Sequence, residues 1–212
     1  MPLTMKPARR RLALLLGLSL LITGASRAQE QPLDESALWR LIRNGEAVVL
    51  LRHALAPGIG DPSDFELGDC ATQRNLSAAG RAQAKAIGER FRANGITAAR
   101  VYSSQWCRCL ETARLLGLGG VVPFPGLNSF FRHRSAAPQR TAAVRDLLQT
   151  QTRTGAPPLV LVTHQVNITA LIDLFPDSGE MIIVRPAVVG SGADSAADAT
   201  GALEVLGRIG SR

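Results

Sequence analysis

The feature that most restricts the fold of this chain is the apolar run Val48–Leu51, which is followed directly by Arg52 and His53. An uninterrupted run of valine and leucine indicates a strand that is buried on both faces, as strands of parallel sheets are. A second run of this kind, Leu159–Thr163, also ends at a histidine, His164. Because the carboxyl ends of parallel strands open on one edge, where such sheets bind ligands, we expect Arg52, His53 and His164 to meet there.

Helical periods alternate with these strands along the rest of the chain. We predict helices near residues 34–44, 77–94, 104–116, 139–151 and 168–174, and further strands near 100–103, 121, 181–184 and 203–209. Such alternation predicts an α/β fold, a three-layer αβα sandwich around a mostly parallel, doubly wound sheet. The segment 54–75 is long and rich in Gly, Pro and Asp, so we expect it to line a site, and we interpret 186–200 as a connector.

The first 28 residues have the order of a cleaved secretory signal peptide. A basic patch precedes the apolar run Leu12–Ile22, and small residues lead to Ala28. Because a bilayer needs about 20 apolar residues, this run is too short to span it, although a retained anchor is the alternative. We therefore predict a periplasmic or secreted protein with no stable membrane insertion after cleavage, and a single domain over residues 29–212.

The net charge does not indicate a nucleic-acid partner. The whole chain carries a formal charge of +7, but five of its 24 basic residues and none of its 17 acidic residues lie in the first 28 positions. Without that segment the charge is close to balance, so the basic character belongs mostly to the leader.

Four segments follow one another along the chain: Arg52-His53-Ala54, Leu76-Ser77-Ala78-Ala79-Gly80-Arg81-Ala82-Gln83-Ala84, Ser103-Ser104-Gln105-Trp106-Cys107-Arg108-Cys109-Leu110-Glu111-Thr112-Ala113 and Val162-Thr163-His164. Together they resemble the signature of the histidine phosphatase superfamily, which includes cofactor-dependent phosphoglycerate mutases, acid phosphatases and phosphohistidine phosphatases. The resemblance extends from Val48 to about Val184.

This resemblance implies phosphoryl transfer in two steps without a metal or other cofactor. His53 would attack phosphorus and carry the phosphoryl group, which water would then release. Arg52, Arg108 and His164 would hold the non-bridging oxygens. Asn75 and Gln165 are further candidates for substrate binding: Asn75 on the long loop, with a helix-entry role as the alternative, and Gln165 at a helix start beside the phosphate. A metal held by the two strand-end histidines is the alternative, but neither is followed by another ligand at a suitable spacing.

Two positions depart from the family pattern. Ala54 stands where the family has glycine, and Ser129 follows Leu127-Asn128 where the family usually has its acidic proton donor. A serine hydroxyl cannot protonate a leaving group efficiently, because its pKa lies far above the working pH. We expect another carboxylate to do so.

The carboxylates expected near the same sheet edge lie on the long loop, at Asp61, Asp64, Glu66 and Asp69, or just before the strand at 181–184, at Glu180. We favour Glu180, because a strand holds it, and predict a raised pKa for it. An exposed strand-end carboxylate is the alternative interpretation.

Three cysteines, Cys70, Cys107 and Cys109, would meet an oxidising compartment after export, and their odd number leaves one thiol unpaired. In this fold the long loop and the start of the Arg108 helix are expected to be neighbours. We therefore predict a disulfide between Cys70 and either Cys107 or Cys109, with Cys109 facing the core.

These observations together predict an exported phosphatase that hydrolyses a phosphomonoester or phosphoramidate through a phosphohistidine on His53. Its partner would be a phosphorylated small molecule or a cell-envelope phosphate. The alternative is a non-catalytic phosphate- or partner-binding module of the same fold. A mutase is disfavoured, because an exported protein has little access to glycolytic phosphoesters.

Overall fold

The computed structural model describes residues 33–151, 155–187 and 202–211, which all fall within one compact unit. Its α-helices are α1 (Glu35–Arg43), α2 (Ala78–Ala93), α3 (Cys107–Leu115), α4 (Ala137–Gln151) and α5 (Gln165–Ile172). Its strands are β1 (Val48–Arg52), β2 (Arg100–Ser103), β3 (Val121–Pro123), β4 (Leu159–Thr163), β5 (Met181–Pro186) and β6 (Leu203–Ile209). The predicted signal peptide and most of the predicted connector lie outside the described residues.

The six strands form one sheet in the order β3-β2-β4-β1-β5-β6. The first four of these run parallel to one another, whereas β5 is antiparallel to both of its neighbours. The predicted fold class is confirmed. The antiparallel β5 matters for the site, because it begins at the edge where β1 ends: the Arg52 amide donates to the Glu180 carbonyl at 3.2 Å.

Side chains alternate between two apolar cores, one on each face of the sheet, as the period of a strand requires. Val49 and Leu51 of β1 pack with α1, α2 and α3 on one face. Val48 and Leu50 pack with α4 and α5 on the other. All four residues are fully buried, so β1 is the central strand that its uninterrupted apolar sequence predicts.

Two helices begin at polar residues whose side chains cap them. The Asp34 carboxylate accepts from the Ala37 amide at 2.7 Å, and the Ser77 hydroxyl accepts from the Gly80 amide at 3.0 Å. Gly80 also lies directly against the Leu55 carbonyl, where a Cβ would clash. This contact brings α2 close to the loop that follows β1. In the described part of the chain, no helix is long and apolar enough to cross a membrane.

Candidate active site

The strand ends predicted to converge do so around a cavity of about 370 Å³. Arg52 of β1 pairs in register with Thr163 of β4, so the next residues, His53 and His164, lie side by side with ring centroids 5.4 Å apart. Arg108, in the first turn of α3, reaches the same cavity. The structure therefore brings together the four residues that the family resemblance singled out.

His53 is held as a neutral imidazole with a defined tautomer. Its Nδ1 lies 2.8 Å from the Ala54 carbonyl oxygen, which only accepts, so Nδ1 carries the proton and Nε2 keeps a lone pair. Only 2% of the residue is exposed. Burial, followed by the positive charge of Arg108, lowers the pKa of His53 to about 3. Nε2 is therefore unprotonated at neutral pH, as a nucleophile must be.

Ala54 fits its place without strain. Its backbone is not in the left-handed region, and its buried methyl group packs with Leu76 and Ala84. Its amide donates to the Thr112 hydroxyl at 3.0 Å, which links the strand end to α3. The departure from the family glycine therefore leaves the carbonyl that orients His53 in position.

His164 has the opposite arrangement of its ring nitrogens. The Arg108 Nη2 group, which can only donate, lies 3.4 Å from Nδ1, so Nδ1 accepts and Nε2 donates to the Ser104 hydroxyl at 2.9 Å. The Ser104 hydroxyl in turn donates to Asn128 Oδ1 at 3.3 Å. Burial, then the positive charge of Arg108, holds the pKa of His164 well below its ordinary value.

Arg108 is the centre of the site and is paired with Asp61. Its side chain is 3% exposed, and its Nε group donates to the lone pair of His53 Nε2 at 3.3 Å. Nη1 and Nη2 donate to the two carboxylate oxygens of Asp61 at 2.7 and 3.2 Å. Asp61 thus occupies the fork of Arg108 in the same bidentate manner as a phosphate would.

Further donors hold the Asp61 carboxylate. It accepts from the Trp106 indole N–H and from the Arg74 amide, each at 3.1 Å. Burial raises the pKa of Asp61, but the hydrogen bonds and charge of Arg108 outweigh that effect and leave the pKa lowered. In the sequence Asp61 was one of four equivalent loop carboxylates, and nothing there marked it as the one that would face Arg108.

The cavity wall carries an excess of positive charge. The lining includes five arginines, Arg52, Arg74, Arg108, Arg132 and Arg140, and Asp61 is the sole carboxylate among its described lining residues. Arg52 donates to the Pro176 carbonyl at 2.8 Å, while its buried Nε group has no partner among the described residues. An anion is therefore the ligand that this cavity attracts. Arg132 lies in the loop that follows Ser129, and Arg140 lies in α4. Neither was among the site residues predicted from the sequence.

Two predicted site residues do not reach the cavity. The Glu180 carboxylate accepts from Arg208 Nε at 2.6 Å and from the Asp177 amide at 2.7 Å. Its hydrogen bonds with Arg208 lower the pKa of Glu180, so the predicted raised pKa is wrong. Asn75 donates to the Cys70 and Gln73 carbonyls at 2.6 and 3.1 Å, within the loop, and does not line the cavity.

Gln165 and Ser129 do line the cavity. The Gln165 side-chain amide donates to the Thr169 hydroxyl at 2.8 Å, one turn along α5. The Ser129 hydroxyl accepts from the Phe131 amide at 3.3 Å. Ser129 thus stands at the cavity wall without a carboxylate, as its sequence position indicated.

The structure shows which of Cys107 and Cys109 pairs with Cys70, a choice that the sequence left open. Cys70 and Cys107 form a disulfide with a Cα–Cα distance of 5.7 Å, and Cys109 is a buried free thiol. Burial raises the pKa of Cys109 to about 12. The disulfide joins the loop after β1 to the first residue of α3, next to Arg108. In the described residues, no group of three or more His, Cys, Asp or Glu side chains is arranged to hold a metal ion.

Comparison with known proteins gives one family and a set of similar structures. A family model described as the histidine phosphatase superfamily, branch 1, matches residues 48–128. That range includes His53, Asp61 and Arg108. No curated protein matches the chain.

Three solved structures illustrate the likeness in fold. The protein histidine phosphatase SixA in complex with tungstate is 14% identical, with a TM-score of 0.50 over 78% of this chain and 97% of the other. A mutant phosphoserine phosphatase from Entamoeba histolytica in complex with phosphoserine is 13% identical, with a TM-score of 0.52 over 78% and 98%. A mycobacterial hydrolase is 17% identical, with a TM-score of 0.50 over 75% and 95%. At these identities the likeness concerns the fold.

Proposed function

We propose that this chain, which belongs to the histidine phosphatase superfamily, is an exported phosphatase that acts through a phosphohistidine on His53. Superfamily membership supports phosphatase activity. The substrate we propose is a phosphomonoester or phosphoramidate on a small molecule or on a component of the cell envelope.

The observation that carries this proposal is the state of His53. A buried imidazole whose Nδ1 proton is committed to the Ala54 carbonyl presents an unprotonated Nε2 to a cavity lined by arginines. A structural histidine has no need of a lone pair aimed at a cationic cavity. A nucleophile for an anionic substrate needs both features.

In the first step, His53 Nε2 forms a bond to phosphorus as the bond from phosphorus to the leaving group breaks. Arg108 and Arg52 neutralise the charge on the non-bridging oxygens, in a buried site where electrostatic interactions are strong. In the second step, water attacks the phosphohistidine, the P–N bond breaks, and phosphate leaves with His53 neutral again. Arginine side chains thus supply the charge stabilisation.

His164 needs a proton on Nδ1 in order to donate to a phosphate oxygen. The Ser104 hydroxyl can accommodate that tautomer, because once Nδ1 has gained a proton and Nε2 has lost one to solvent, its hydrogen can turn from Asn128 towards His164 Nε2. Nε2 then accepts and Nδ1 carries the proton. A bound dianion favours that tautomer, or the protonated ring, because either form places a donor against negative charge.

Two features support the proposed export. The first 28 residues have the pattern of a secretory signal. The Cys70–Cys107 disulfide suits an oxidising compartment such as a bacterial periplasm. Envelope phosphates are accessible there, which is the basis for naming them as a substrate class.

The test is phosphate release by the mature chain from phosphorylated sugars, phosphopeptides, a phosphoramidate and an aryl phosphate. We expect His53→Ala to abolish turnover and the acid-labile phosphoenzyme. His133→Ala, at an exposed histidine on the cavity rim, is the matched control and should retain the chemical step. Turnover by His53→Ala at the wild-type rate would refute the mechanism.

A non-catalytic phosphate-binding module is the second candidate. The observation in its favour is Ser129, which leaves the usual position of the proton donor without a carboxylate. Such a module would bind vanadate or inorganic phosphate but would form no phosphoenzyme with any substrate of the panel.

A further inference from the structure

We propose that Asp61 is the proton donor of the reaction and takes the place of the missing acid by exchanging with the substrate on Arg108. This inference rests on the proposed phosphatase function. It assigns a catalytic role to a carboxylate outside the family's usual position.

The first argument is that Arg108 has no donor to spare. Its two terminal nitrogens donate to the Asp61 carboxylate, its Nε group donates to His53, and the remaining two N–H groups face the Arg74 carbonyl and His164 Nδ1. A phosphoryl group that binds to Arg108 in front of His53 therefore competes with these partners, of which Asp61 is the one anion. The carboxylate then lies beside the phosphoryl group, close to the atoms that react.

The second argument is that Asp61 is held in place, unlike the other loop carboxylates. Trp106 and the Arg74 amide donate to its side chain, and Arg132 donates to its carbonyl. Two links fasten the same loop to α3. One is the Cys70–Cys107 disulfide, and the other is a hydrogen bond of 2.9 Å from the Cys107 amide to Gln73 Oε1. The remaining carboxylates of this loop, Asp64, Glu66 and Asp69, are exposed and do not line the cavity.

The third argument concerns the proton itself. In the free protein the charge of Arg108 keeps Asp61 ionised against the effect of burial. When a phosphate takes over Arg108, the carboxylate keeps its burial, loses its strongest partner and gains a dianion as neighbour. The retained burial and the two changes all favour the protonated carboxyl group. The groups that still face it are Arg74 and Trp106, together with the buried Cys109 thiol.

The proton balance closes without another reactant. A substrate that arrives as a monoanion transfers its proton to Asp61 as it binds to Arg108. The Asp61 carboxyl group then protonates the leaving-group oxygen while that oxygen separates from phosphorus and His53 Nε2 forms the P–N bond. In the second step the Asp61 carboxylate takes a proton from the attacking water.

The test separates proton donation from support of Arg108. We compare Asp61→Asn with wild type on an alkyl phosphate and on a series of aryl phosphates of decreasing leaving-group pKa. Asn has the shape of Asp but no acidic proton. We expect a loss of about 10²-fold or more in kcat on the alkyl phosphate, the usual scale of general acid catalysis. The loss should shrink towards threefold or less on 4-nitrophenyl phosphate.

Anion binding supplies the second measurement. Asp61 competes with a bound anion for Arg108. The Asp61→Asn variant should therefore bind vanadate about tenfold more tightly than wild type does. A purely structural role predicts the reverse, since a displaced Arg108 would bind vanadate more weakly. The melting temperature of the variant, measured alongside, confirms that it is folded.

The matched control is Asp64→Asn, on the same loop but exposed and outside the cavity, which should match wild type on every substrate. Equal losses by Asp61→Asn on alkyl and aryl phosphates, or weaker vanadate binding, would overturn the proposed role of Asp61. If the wild type still formed a normal phosphoenzyme, the proposed phosphatase function would be unaffected by that result. Absence of a phosphoenzyme in the wild type would overturn both proposals.

Discussion

Two arginine–carboxylate pairs lie near the sheet edge where β1 ends, and they differ in the exposure of the arginine and in their access to the cavity. In the pair of Arg108 and Asp61 the side chains are 3% and 11% exposed. In the pair of Arg208 and Glu180 they are 46% and 10% exposed. The carboxylates are equally buried, and both have lowered pKa values. The pairs are separated by the exposure of the arginine and by their position, since Arg108 and Asp61 line the cavity and Arg208 and Glu180 do not.

That difference decides what each pair can do. Arg208 is half exposed, so water can solvate its charge and the pair resembles a surface ion pair of about 0–1 kcal/mol. Arg108 is buried and faces a cavity large enough for a phosphate. A buried guanidinium must always have an anionic or polar partner. Asp61 fills that requirement in the free protein, and the phosphate group of a substrate fills it in the complex.

The largest difference between the two pairs is expected in kcat/KM when the arginine of each pair is replaced by lysine. Arg108→Lys keeps a positive charge but removes the bidentate fork, so we expect kcat/KM to fall by about 10³-fold, the lower end of what a catalytic arginine contributes in phosphoryl transfer. Arg208→Lys should remain within about twofold of wild type, because its partner does not reach the cavity. Steady-state kinetics on an aryl phosphate measures both variants.

Similar losses from the two substitutions would contradict the distinction drawn between the pairs. Similar melting temperatures of the two variants would show that any difference in rate arises at the site.

The sequence predicted the positions of Arg52, His53 and His164 because strand ends are local features. An apolar run fixes a buried strand, and parallel strands place their ends on one edge. Arg108 was predicted by the family resemblance. The fold followed from the same alternation of strands and helices.

Asp61 could not be distinguished from its neighbours in the sequence, because the contacts that hold it are long-range. Trp106 and Arg108 lie more than 40 residues further along the chain. Loop composition carries no information about such partners. The sequence therefore favoured Glu180 over the loop carboxylates, whereas the disulfide, Arg108 and Arg132 hold the loop at Asp61.

Glu180 was favoured because it adjoins a strand. The structure does fix its position beside β5, but its carboxylate is directed towards Arg208 of β6 and not towards the cavity. Arg208 lies opposite Ile182 in the antiparallel pair of β5 and β6. Glu180 precedes Ile182 by two residues and therefore shares its face, which makes Glu180 a diagonal neighbour of Arg208. The antiparallel direction of β5 and its pairing with β6 were not predicted, and both were needed to find this partner.

Removal of the disulfide perturbs the pair of Arg108 and Asp61 and not the pair of Arg208 and Glu180. A Cys70→Ser/Cys107→Ser double variant frees the Asp61 loop and leaves the Glu180 pair untouched. The link spans 37 positions, for which the chain-entropy model gives about 4 kcal/mol. We expect a loss of about 3 kcal/mol and a melting temperature lower by about 6–12 °C. Cys109→Ala, at the free thiol, is the control for thiol removal.

Thermal unfolding and kcat/KM on an alkyl phosphate check this prediction together. Because Asp61 depends on the fastened loop, the double variant should also lose about tenfold in kcat/KM at a temperature where it remains folded. A stable variant with unchanged kinetics would show that the arginines alone hold Asp61.

The smallest effect is expected at Glu180. Glu180→Gln should leave turnover of alkyl and aryl phosphates within twofold of wild type, because the carboxylate contacts Arg208 and the Asp177 amide and not the cavity. The free energy of unfolding should fall by about 1 kcal/mol or less at pH 7, since solvent around Arg208 screens the pair.

The dependence of that small loss on pH follows from the lowered pKa of Glu180. A carboxyl group with a lower pKa in the folded than in the unfolded state stabilises the fold at pH values above its unfolded pKa, which is about 4.5. That stabilisation disappears as the pH falls through the folded pKa. Wild type and Glu180→Gln should therefore differ at pH 7, and the difference should narrow as the pH falls below 4.5 and through the lowered folded pKa of Glu180. Urea unfolding at pH 3, 5 and 7 measures the difference, and a gap that is as wide at pH 3 as at pH 7 would mean that the glutamine destabilises the fold through its shape and not through the lost charge.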